Sequence, residues 1–168
     1  MALEYRVVLA AGTAAEEVAQ RAIPDAADRW TGSPSFLSVA LWDRYGFELT
    51  VRSGREGYVE IEVDGGIQVW EPESYVSLTF RMDKDADPDW NVPNMLTVVR
   101  RVLASGAEDA AFTFDIDILL LTRFKDVIVK FDRDWWASSA EVDQLVACVT
   151  AGEDQAKVAP VKSRRPLA

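Results

Sequence analysis

The run Tyr75-Val-Ser-Leu-Thr-Phe-Arg-Met82 alternates apolar with polar side chains, and ten residues later Val92-Pro-Asn-Met-Leu-Thr-Val-Val-Arg-Arg-Val-Leu103 does not. In the first, Ser77, Thr79 and Arg81 fall at every second position, the period of a strand with one wet face. In the second, Val92, Met95, Leu96, Val99, Val102 and Leu103 recur at intervals of three and four, the stripe of one helical face. Asn91 is placed to cap that helix, with Pro93 in its first turn, Arg100 and Arg101 at its negative end and Gly106 as its stop. A strand feeding a helix across an acidic turn is the unit from which the rest of the fold is read.

Working outward, the same alternation marks Leu3 to Leu9, where Glu4 and Arg6 interrupt apolar positions. Thr13 followed by Glu16 has the form of a capping box for a short helix ending at Ile23-Pro24. A loop holding Trp30, Gly32 and Pro34 follows. Strand character then returns over Phe36 to Trp42, Phe47 to Arg52, Tyr58 to Val63 and Ile67 to Trp70, separated by turn residues such as Gly46, Ser53-Gly54, Asp64-Gly65-Gly66 and Pro72. Beyond the helix, strands are expected over Ala111 to Phe114, Ile118 to Arg123 and Val127 to Phe131, and a last helix from Ser139 to Val149. The order predicts an α+β fold: a mostly antiparallel sheet of meander and hairpins, with two to three helices packed on one face. Residues 1–150 read as a single domain and residues 151–168, with two prolines and no apolar period, as a disordered tail.

Composition narrows the chemistry. The chain of 168 residues has no histidine, so Ser-His-Asp and Cys-His relays, histidine-bearing zinc sites and imidazole bases are all excluded. Its lone Cys148, set among Val146, Ala147 and Val149, reads as a quiet intracellular thiol. The opening Met1-Ala-Leu-Glu-Tyr-Arg has no signal-peptide pattern and no segment is apolar enough for a membrane span, so a cytoplasmic location is expected. With 28 Asp plus Glu against 18 Lys plus Arg, the formal net charge is -10. That disfavours nucleic acid and anionic membrane as partners and favours a basic protein.

Two acidic groups and an excess of tryptophan are the candidate functional features. The run Asp83-Lys-Asp-Ala-Asp-Pro-Asp89 resembles a calcium loop only in part, because Pro88 and Asn94 stand where an EF-hand needs Gly and Glu. It reads better as an electronegative rim, or simply as a solvated turn before the helix. Glu60, Glu62, Asp64, Glu71 and Glu73 form the second group around Trp70, and a carboxylate-dependent hydrolase would draw on such residues. Half-wet strand faces carry carboxylates as a rule, so the plain reading is again solvation. Six tryptophans are many for this length, and Trp42, Trp70, Trp90, Trp135 and Trp136 stand at strand ends or in loops. Taken singly each fits a plug at the edge of the core, but as a set among acids they fit interface anchors.

The segments Met1-Ala-Leu-Glu-Tyr5, Trp42-Asp-Arg-Tyr-Gly-Phe47, Trp70-Glu-Pro-Glu-Ser-Tyr75, Phe80-Arg-Met-Asp-Lys84 and Asn94 to Leu103 carry a family likeness. Over about residues 1 to 136 the chain resembles immunity proteins of the swarming-inhibition toxin system, of the type of its third toxin-immunity pair and like its actinobacterial relatives. The resemblance implies a small cytoplasmic antidote that binds a cognate toxin and has no catalytic residue. It carries over no toxin-contacting residue. The physical reading alone nominates Trp70, Glu71, Glu73, Asp83, Asp85 and Trp90 as partner-binding residues, with no cofactor and no metal. The alternatives are a small carboxylate-dependent or metal-binding enzyme and a homo-oligomeric structural protein.

Overall fold

Leu3–Ala10 forms β1, the inner strand that ties the two halves of the main sheet together in a computed structural model describing residues 2–63 and 65–137. The elements that follow are α1 (Ala15–Ala22), β2 (Thr31–Ser33), β3 (Phe36–Leu41), α2 (Trp42–Tyr45), β4 (Phe47–Arg55), β5 (Val59–Val63), β6 (Gly66–Trp70) and β7 (Ser74–Met82). After them come α3 (Pro88–Ala104), β8 (Ala110–Phe114), β9 (Ile118–Phe124), β10 (Val127–Lys130) and α4 (Arg133–Ala137). Among the described residues, eight strands form one sheet in the order β10-β9-β8-β1-β7-β4-β3-β2, and β5 pairs only with β6. Each of these pairings is antiparallel. The α+β class read from the sequence is the class observed.

The alternation in β1 explains the layering. Tyr5, Val7 and Leu9 enter the main core, where they meet Leu49 and Val51 of β4, Leu78 and Phe80 of β7, Val18 and Ala22 of α1, and Leu96, Val99 and Val102 of α3. The stripe predicted for α3 is therefore its buried face, and α1 and α3 cover one side of the sheet. On the other side the β5–β6 hairpin contributes Val59 and Ile61 to a smaller cluster with Val8, Ala111, Leu119 and Phe124. That hairpin covers only part of the second face. Glu4, Arg6, Glu48, Thr50, Arg52 and Thr79 remain at least partly accessible there.

Several local expectations are corrected. The strands from Phe36 to Met82 do not run as one continuous meander, because β4 pairs directly with β7 and the β5–β6 hairpin leaves the sheet. Thr13 does not cap α1: Ala14 is the N-cap, no side chain caps its first turn, and the Thr13 hydroxyl is buried without a partner among the described residues. Helix α3 begins earlier than its apolar stripe, at Pro88, with the Asp87 carboxylate accepting from Asp89 N–H as the true cap. Asn91 is consequently an interior, buried residue of α3, Pro93 lies inside the helix rather than at its start, and Ser105 is its C-cap. Trp42 opens the one-turn α2 instead of ending β3, and part of the expected loop around Gly32 is the short edge strand β2. Helix α4, with Trp135 and Trp136, was not expected from the pattern. The helix predicted over Ser139 to Val149 and the tail at residues 151–168 lie outside the described residues.

Candidate partner-binding surface

The six nominated residues fall at opposite ends of β7. Glu73 precedes the strand and Asp83 follows it, and a nine-residue strand separates them by about 30 Å. Trp70, Glu71 and Glu73 therefore form one group, and Asp83, Asp85 and Trp90 another.

The second group is the better built. Asp83 N–H donates to the Gly46 carbonyl at 2.9 Å, so the end of β7 is tied to the turn between α2 and β4. Inside that junction the Asn91 amide donates to the carbonyls of Asp83 at 3.2 Å and Gly46 at 3.4 Å. The Asp83 carboxylate accepts from Asp85 N–H at 3.0 Å, which closes the acidic loop on itself. Gly46 has φ +79°, and a side chain there would lie 2.6 Å from Asn91 Cβ and 2.8 Å from the Trp90 ring. Glycine thus lets α3 approach, and this contact fixes Trp90 in the first turn with 42% of its surface exposed. Asp83 and Asp85 of the acidic loop line a cleft of about 440 Å³ together with Trp42, Arg81 and Lys84 among others. Arg81 and Lys84 temper its acidity, so the cleft is of mixed charge with an acidic loop at its rim.

At the other end of β7 the arrangement differs. Trp70 is half-buried, its ring meeting Phe124 edge-on at 5.2 Å, and it belongs to the wall of the smaller core. Glu71 and Glu73 are exposed on the connection to β7, whose backbone is held by Glu56 N–H donating to the Glu73 carbonyl and Gly57 N–H to that of Pro72. Trp135 and Trp136 serve the core as well: Trp136 is buried and its indole N–H donates to the Leu120 carbonyl at 2.9 Å, while Trp135 meets Tyr5 and Phe112. Among the described residues no group of three or more Asp, Glu, Cys or His is placed to hold a metal ion.

One strongly ionic cluster is structural. Arg21 Nη1 of α1 donates to Glu108 Oε1 at 2.5 Å, and Arg123 of β9 donates to the carbonyls of Glu108 and Leu103. Burial pushes the Glu108 carboxyl up, but the Arg21 hydrogen bond, its own backbone N–H and the charges of Arg21 and Arg123 outweigh it, so the group is held below the usual glutamate value. The three side chains are mostly enclosed and join α1, the end of α3 and β9.

The open part of the second sheet face holds none of the six nominated residues. A groove of about 360 Å³ crosses it, lined by Glu4, Arg6, Phe36, Thr50, Arg52, Ser77, Thr79 and Ile116. Phe36 and Ile116 are 48% and 71% exposed. The signal was present in the alternating Glu48, Thr50 and Arg52 and in Ser77, Thr79 and Arg81, but only strand register shows that Arg6 joins them.

The architecture and its accessible, densely polar surfaces define a small α+β protein with a main antiparallel sheet, helices on one side and a partly open face on the other. The chain belongs to the SitI3-like family, which matches residues 3–140. No curated protein and no solved structure matches the chain. No helix among the described residues is long and apolar enough to cross a membrane.

Proposed function

We propose that this protein is a non-catalytic antidote that binds a cognate, basic bacterial toxin and neutralises it in the cytoplasm of the producing cell. Membership of the SitI3-like family supports a toxin-immunity role. The observation that carries the choice of surface is Trp90, a partly exposed ring packed against Gly46, whose carbonyl accepts from Asp83 N–H at the start of the acidic loop. A rigid aromatic next to carboxylates can anchor a partner while the charges steer its approach. A standard interface buries about 800 Å² per partner and is roughly 30 Å across, so Glu71, Glu73 and the exposed part of Trp70 could lie only at its far rim.

The direct test is capture of the toxin by the tagged protein from the producer's lysate and secreted fraction, followed by co-expression of the two. One basic protein retained in near-equimolar amount, whose toxicity is abolished by co-expression, is the expected result. A captured protein whose toxicity persists would overturn the antidote reading.

A further inference from the structure

The register of the main sheet treats its outward-facing arginines unequally. Arg81 on β7 lies directly opposite Glu4 on β1 and Glu48 on β4, so an acid flanks it on each side. Arg6 on β1 lies opposite Thr79 on β7 and Thr113 on β8. Arg52 on β4 lies opposite Ser77 on β7 and Phe36 on β3. Neither of these two arginines makes an ion pair or a side-chain hydrogen bond among the described residues, although the chain has ten more acids than bases. They share one groove, whose floor also presents Thr50, Ser77 and Thr79. Burial, opposed by Tyr75 and reinforced by Arg52, pushes the Arg6 guanidinium below its ordinary value, though an arginine stays charged. Glu4 is the one carboxylate lining the groove, and the register sets it beside Arg81.

We propose that this groove binds a carboxylate side chain of a partner polypeptide, held between Arg6 and Arg52 and flanked by apolar contacts to Phe36 and Ile116. Paired guanidiniums without an ion pair among the described residues, beside three hydroxyls, match a carboxylate in charge and in hydrogen-bond donors. The apolar side chains select a polypeptide. Phe36 stands where β3 begins, and Ile116 projects from the β8–β9 turn with φ +70°, a conformation that a β-branched residue rarely adopts. A nucleic-acid strand would bring many phosphates to a protein of net charge -10 and is disfavoured. The choice of a polypeptide rests on the reading of the protein as an antidote. It adds that the toxin presents an acidic residue to the sheet face as well as basic residues to the Asp83 loop.

NMR titration of the full chain, without toxin, tests the site itself. The probes are a blocked pentapeptide alternating leucine and glutamate, its glutamine counterpart, inorganic phosphate and a short single-stranded RNA. Saturable shifts at the amides of Arg6, Arg52, Ser77 and Thr79 are expected with the glutamate peptide, weakened roughly tenfold or more with the glutamine peptide or in Arg52→Gln. Arg52 is exposed, so that variant should melt with the parent; Ile116→Gly should melt no lower, since it relieves a positive φ, yet bind the peptide more weakly. Equal binding of the two peptides, or binding unchanged in both Arg6→Gln and Arg52→Gln, would overturn the proposal. Phosphate or RNA matching the glutamate peptide at the same amides would overturn the choice of a polypeptide. No saturable shift with the glutamate peptide would also overturn the proposal while leaving toxin capture standing, and a failed capture with intact peptide binding removes the antidote reading while leaving the site.

Discussion

Arg21 and Glu108, 87 positions apart in the chain, meet at 2.5 Å and join α1 to the segment entering β8. Gly106 makes room for them, since a Cβ there would overlap both the Glu108 carboxylate and the Arg21 guanidinium.

Replacing Glu108 with Gln should therefore cost about 2–4 kcal/mol, because two mostly enclosed guanidiniums lose their counter-charge. The pH dependence has a definite sign. The folded-state value of Glu108 is depressed, so its contribution is full above the unfolded value of about 4.3 and is lost as pH falls through the lower folded value. Denaturant melts of parent and variant at pH 7 and at acid pH check this. The gap between them should narrow on acidification, and a constant gap would show that the carboxylate charge contributes nothing.

The junction at Gly46 gives a second stability prediction. Gly46→Ala must place a Cβ against Asn91 and Trp90 at a positive φ, and a loss of about 1–3 kcal/mol is expected. Asn91→Ala should cost about 1–2 kcal/mol, since it leaves the carbonyls of Gly46 and Asp83 short of a donor. Chemical denaturation measures both. If the two variants combine with a smaller loss than their sum, they report on one junction; strict additivity would mean that they act independently.

What the sequence made legible follows from where periodicity is enforced. Val7, Leu49, Leu78 and Val99 enter one core, and burial imposes the alternation or stripe that identified β1, β4, β7 and α3. Ends are set by single hydrogen bonds, which leave no period. Asn91 looked like a cap because it precedes the apolar stripe, yet Asp87 with Pro88 starts α3 a turn earlier and Asn91 turns inward. Thr13 and Glu16 have capping-box spacing without making the bonds. β2 consists of Thr31, Gly32 and Ser33, all exposed, and only pairing with β3 makes it a strand. The candidate surface was legible as composition but not as geometry. The acids and Trp90 were visible, whereas the separation of Glu73 from Asp83 along β7 and the convergence of Arg6 with Arg52 depend on strand length and register.

If toxin docks at the Asp83 loop, charge reversal there should act on association. The double substitution Asp83→Lys with Asp85→Lys should slow the on-rate roughly tenfold or more at low salt and flatten its dependence on ionic strength. Stopped-flow mixing with the captured toxin at two salt concentrations measures it. An on-rate indifferent to both reversal and salt would remove electrostatic steering from the account.

The two nominated tryptophans should separate by what their loss affects. Trp70 meets Phe124 and lines the smaller core, so Trp70→Ala should destabilise the fold by about 2–4 kcal/mol through lost packing. Trp90 presents a large part of its ring to solvent, so Trp90→Ala should cost less stability but raise the toxin off-rate by roughly thirtyfold, as for a hot-spot aromatic worth about 2 kcal/mol. Denaturant melts together with dissociation kinetics read both quantities on the same variants. A Trp90→Ala protein that releases toxin at the parental rate would move the anchor away from the α3 end, and faster release from Trp70→Ala would place it at the β5–β6 hairpin, where the ring joins Val59 and Ile61 in the smaller core.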